Sequence, residues 1–73
     1  MTKLGEYLAE RAVNKSEVAR KTGLSKARVS ELTLKKTAKL RADELYLIST
    51  AIGADPCHVL EFLYGDLKKK IKP

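Results

Sequence analysis

Residues Asn14 to Leu32 read NKSEVARKTGLSKARVSEL, and this stretch decides the fold. Asn14 is a favoured helix cap, with Glu17 three positions on, where a capping box places its acidic member. Val18, Ala19 and Thr22 then recur at helical spacing and supply the buried side of a short helix. Gly23 ends that helix. Leu24 and a second cap, Ser25, complete a three-residue turn, and another helix starts at Lys26 with Val29 and Leu32 on its inner side.

At about 100° per residue, the side of this later helix opposite Val29 and Leu32 carries Ala27, Ser30, Glu31 and Leu34, with Lys26 and Arg28 on the flanks. A helix facing only water is more often long-chained and charged all along its outer side. Short side chains between two cations let a flat object approach closely.

Outward from this pair, the periodicity stays helical. Leu4, Leu8 and Ala12, with Tyr7 beside them, form one apolar stripe on a first helix of about ten residues, interrupted at Val13 and Asn14. Arg41 to Asp43 open a fourth helix, where Asp43 and Glu44 suit the positive end of the helix dipole better than they suit an acid and base pair. Leu45, Leu47, Ile48, Ala51 and Ile52 bury it and Gly53 stops it. Asp55-Pro56 is cap plus first-turn proline for a fifth helix ending near Gly65. No segment alternates as a strand does. The fifth helix is apolar over about 220°, against the roughly 100° that one core stripe needs. That excess predicts a second buried side, on another protein or in a notch of its own domain.

The chain has 73 residues, enough for one domain and one small core, and no repeat is visible. The expected division is residues 1–65 as the domain and 66–73 as a basic tail. Fifteen lysines and arginines face nine acids, a formal charge of +6. Residues 15 to 41 alone hold nine of the basic groups against Glu17 and Glu31, a net of +7, whereas residues 42 to 65 carry only acids, net −4. A contiguous basic block in a folded domain marks a surface for a polyanion, with the acidic segment facing solvent or another protein. One cysteine excludes an internal disulfide and a thiolate-built zinc site. No metal or cofactor site is expected. No apolar run approaches the roughly 20 residues of a membrane span, and the expectation is a soluble cytoplasmic protein without a membrane role. Cys57 and His58, adjacent on a helix, diverge and lack a third partner, so an enzyme is not expected.

Two short helices across a glycine turn, the second small-faced and flanked by cations, are the arrangement that enters the DNA major groove, which is about 12 Å wide. Residues Leu4 to Leu63 resemble the helix-turn-helix domain of the phage Cro and repressor family, also called the XRE type. The matching residues are Asn14 to Ala19, Gly23-Leu24-Ser25, the pair Val29 and Leu32, and Leu45 to Asp55. The resemblance implies an all-α, compact five-helix bundle of lambda-repressor-like form with a central helix-turn-helix, acting as a sequence-specific transcriptional regulator of bacterial or phage origin. It implies phosphate contacts at Lys15 and Ser16, a DNA-facing Ser25, and a base-reading set of Lys26, Ala27, Arg28, Ser30 and Glu31. Lys35, Lys36 and Lys39 follow in a loop facing the duplex backbone. A carboxylate at Glu31 is equally a local partner for Arg28 or Lys35. Homodimerisation on a two-fold operator would use Leu60, Phe62, Leu63 and Tyr64.

Two positions depart from the family pattern. Leu8 and Thr33 stand where relatives often pair a basic residue with a glutamate, so neutral packing is expected there. The glycine that usually ends the third helix is absent near Leu34-Lys35, which predicts a further helical turn and a longer connection. A binding module for another protein, built on the same fold, is the rival reading.

Overall fold

The computed structural model describes residues 1–72; Pro73, the last residue of the expected tail, lies outside them. Five α-helices follow one another: α1 (Lys3–Glu10), α2 (Lys15–Thr22), α3 (Lys26–Leu34), α4 (Ala42–Ala51) and α5 (Pro56–Tyr64), with a 3-10 helix over Gly65–Lys70. There is no strand among the described residues. α3 packs on α1 and α2, α4 on α2 and α5. The core joins Leu4, Tyr7 and Leu8 of α1 to Val18, Val29, Leu32, Ile48, Val59 and Leu63, each buried. Val13, Leu24, Ala38, Leu40, Ile52 and Ala54 pack against it from the connections and helix ends.

The cap residues act as their types dictate. Asn14 Oδ1 accepts from the Ser16 and Glu17 amides at 2.8 and 3.3 Å, and Ser25 Oγ from the Arg28 amide at 3.0 Å. Gly23 takes the left-handed conformation, φ 81°, that only glycine adopts without strain. Glu17 does not complete a capping box; it pairs with Arg20.

Four expectations are corrected. α1 stops at Glu10, and Ala12 is exposed with φ 54°, outside the apolar stripe. The Ala12 and Val13 amides donate back to Ala9 and Leu8 carbonyls at 3.0 Å each, which is a Schellman ending with alanine where glycine usually stands. α3 gains no further turn: Lys35 is already extended, and Lys35 to Arg41 form the connection, held to the core by Ala38 and Leu40. Leu47 is 39% exposed, while Ser49 is fully buried and donates to the Leu45 carbonyl at 2.7 Å. Leu63, expected at a dimer interface, is buried in the chain's own core.

Leu8 and Thr33 are both fully buried. Thr33 Oγ1 donates to the Val29 carbonyl at 3.0 Å, and its own carbonyl accepts from the Thr2 amide at 3.0 Å. Thr2 Oγ1 in turn donates to the Leu32 carbonyl at 2.8 Å. The start of α1 thereby satisfies carbonyls that the end of α3 leaves without helical partners. Gly5 permits this approach, since a Cβ there would collide with the Thr33 carbonyl oxygen and the Met1 side chain.

Candidate nucleic-acid interface

The outer side of α3 is exposed at Lys26, Ala27, Ser30 and Leu34. Ser25, Ala27, Ser30, Leu34 and Lys35 help to line a shallow depression along it. Lys15 and Ser16, at the start of α2, are exposed, as are Lys35, Lys36 and Lys39 beyond α3. Two helix starts and one loop therefore present lysines around a short-chained face. The Ser25 oxygen is used as an acceptor by its own helix, which leaves the hydroxyl hydrogen for an external acceptor.

Arg28 and Glu31 line the same depression as the other expected readers, but their charged ends are paired within the molecule, for Glu31 the local partnership with Arg28 that the sequence left open. Arg28 Nε donates to Glu44 Oε2 at 2.7 Å and Nη2 to Glu44 Oε1 at 2.9 Å. Nη1 donates to Glu31 Oε1 at 3.0 Å and Nη2 to the Lys39 carbonyl at 2.9 Å. Four of the five N–H donors a guanidinium carries are thus engaged inside the molecule. The group braces α3 against α4 and the intervening loop.

Glu44 was expected to be a helix-start charge. It is that, accepting from the Arg41 amide at 2.9 Å, and it is also buried, 4% exposed. Hydrogen bonds from Arg28 hold its carboxyl below the ordinary carboxylate value, aided by the Arg41 amide and opposed by burial. The same contacts from Glu44 and Glu31 raise the Arg28 guanidinium further above its already high value. Glutamate at the third position of a helix is a legible cap; its partner sixteen residues earlier is not, because nothing local joins the two.

The other arginines are engaged as well. Arg20 meets Glu17 at 2.7 Å, Arg41 meets Asp43 at 3.2 Å, and Arg11 lies 4.7 Å over the Tyr7 ring. Lys15, Lys21, Lys26, Lys35, Lys36 and Lys39 form no ion pair among the described residues and are all exposed. The basic block thus divides by residue type: each of its arginines meets a carboxylate, whereas its lysines stay unpaired at the surface.

Leu60 and Tyr64 of α5 line an apolar groove with Leu40, Leu45, Tyr46 and Pro56. Tyr46, 61% exposed, lies between Leu45 and Leu47, and no signal in the sequence singles it out. Phe62 lies on another flank, its ring 5.2 Å from that of Tyr7. Cys57 and His58 are exposed; the His58 ring lies 6.3 Å from that of Tyr7. No group of three metal-ligating side chains occurs among the described residues, and no helix there is long and apolar enough to cross a membrane.

Residues 3–63 match the family model described as the Cro/C1-type HTH DNA-binding domain. No curated protein matches the chain. No solved structure matches it either.

Proposed function

The chain belongs to the Cro/C1-type helix-turn-helix DNA-binding family, and from that premise we propose that it is a sequence-specific repressor binding a two-fold operator as a homodimer, with α3 in the major groove. One observation carries this reading: the outer side of α3 is short-chained and exposed, and the basic block from Lys15 to Lys39 holds six exposed lysines that form no ion pair among the described residues. Lys15, Ser16 and Ser25 contact phosphate, aided at the helix starts by the dipole. Lys35, Lys36 and Lys39 run along the sugar-phosphate backbone. Lys26, Ala27 and Ser30 face base edges, where lysine suits guanine, a methyl suits the thymine methyl, and a hydroxyl accepts several partners. Residues 1–65 are the DNA-binding unit and the basic segment from Asp66 an accessory to it.

The second copy docks on the α4 and α5 groove through Leu60, Tyr64 and Tyr46. With two-fold symmetry the half-sites then lie one helical turn apart, about 34–36 Å. Selection from a random duplex pool, followed by gel shift, tests the reading. A palindromic site is the expected product. Absence of preference for any duplex at low salt refutes it, and favours the protein-binding alternative to which the same apolar groove lends support.

A further inference from the structure

A guanidinium recognises guanine by presenting two parallel N–H groups along one edge. In Arg28 the Nε and Nη2 edge is filled by both oxygens of Glu44, and the remaining Nη2 and Nη1 contacts go to the Lys39 carbonyl and Glu31. No edge with two free N–H groups is left. Glu44 cannot follow Arg28 toward a ligand, because it is buried and also holds the Arg41 amide at the start of α4. Arg11, Arg20 and Arg41 are engaged too. All four arginines of the chain have partners within the molecule, and Arg28, on the helix that faces the ligand, is the one met by a buried carboxylate.

We infer that Glu44, on α4 and away from the outer face of α3, determines base specificity by withholding Arg28 from the groove. This inference rests on the DNA-binding reading above. Glu44 is a positioning residue: it acts through Arg28 and leaves Lys26, Ala27 and Ser30 as the readers. Removing its carboxylate frees a guanidinium on the flank of α3, and a freed guanidinium next to a major groove acquires guanine.

The test selects duplexes from one random pool with four proteins: the natural chain, Arg28→Met, Glu44→Ala, and the double variant. The natural chain and Arg28→Met are expected to select the same sequence. Glu44→Ala gains a guanine at one position of each half-site, preferred about 5- to 150-fold, the range that one bidentate arginine contact provides. The double variant loses that guanine, which identifies Arg28 as its reader. A changed sequence for Arg28→Met, or an unchanged one for Glu44→Ala, overturns the inference. Where Glu44→Ala does not fold, Glu44→Gln, which keeps an acceptor for the Arg41 amide, takes its place. The natural chain supplies a further measurement, the NMR resonance of the Arg28 Nε–H. It keeps its shift and slow exchange when the selected duplex is added; a displaced, fast-exchanging signal overturns the inference. Failure of the natural chain to select any duplex is a separate result that refutes DNA reading itself.

Discussion

A carboxylate only 4% exposed persists in so small a core because Arg28 and the Arg41 amide meet it. Its lowered pKa makes that pair a pH-dependent contribution to folding. A group depressed in the folded state stabilises above its unfolded value, here about 4.5, and the contribution disappears as pH falls through the folded value. Urea midpoints are thus expected to hold from pH 7 to about 5 and to drop below 4.5, with a shallower drop in Glu44→Gln. Thr2 supports a second prediction. Its hydroxyl caps Gly5 and bonds the Leu32 carbonyl, so Thr2→Val removes a cap and a long-range bond, a loss of about 1–2 kcal/mol by chemical denaturation. At Gly5 the constraint is space. Gly5→Ala pushes a methyl into the Thr33 carbonyl, and about 1–3 kcal/mol is the expected destabilisation.

Two helices end in the same way with different residues. α4 closes with Gly53 at φ 73°, its amide and that of Ala54 donating to the Thr50 and Ser49 carbonyls at 3.1 and 2.9 Å. α1 closes identically around Ala12 at φ 54°, where a Cβ is strained. Ala12→Gly is expected to raise stability by about 0.5–1 kcal/mol, since relief of left-handed strain exceeds the added freedom of the unfolded chain. An unchanged melting temperature refutes that expectation. The pair also shows what was legible. Gly53 marks its helix end in the sequence, whereas Ala12 falls in register with Leu4 and Leu8 and reads as part of their apolar stripe. The end of α3 was hidden for a related reason: no glycine marks it, and Lys35 turns extended so that Ala38 and Leu40 can reach the core. Of the site, the outward placement of Lys26, Ala27 and Ser30 followed from wheel geometry, which depends only on neighbours in sequence.

Across the whole molecule, a formal charge of +6 overstates uniformity. Lysine, a flexible point charge, suits phosphate, and arginine's planar fork suits carboxylates within the fold. Six free lysines in the basic block, if all contact phosphates, give a slope of log K against log salt of about −5 per protomer. Lys36→Ala is expected to weaken all duplexes alike and lower the slope by about 1, while Arg20→Ala, whose charge is met by Glu17, leaves the slope nearly unchanged. Titration of fluorescent duplexes at several salt concentrations distinguishes these. The apolar groove between α4 and α5 supports a separate prediction. Leu60 is 50% exposed, so Leu60→Asp keeps the fold and yields monomer in sedimentation where the natural chain yields dimer. Monomer for both refutes the proposed interface.

Local chemistry in the chain was enough to determine five helices, the glycine turn between α2 and α3, and the caps Asn14, Ser25 and Asp55, because each depends on contacts within a few residues. Tertiary structure alone decided which charges stay free. Arg28 and Glu44 are chemically ordinary in isolation; folding brings α4 and the Lys39 loop against α3, and the guanidinium becomes a brace while the lysines remain open to a partner. Hydrogen-bond capacity is finite, so what a side chain offers to a ligand is what the fold has not already engaged.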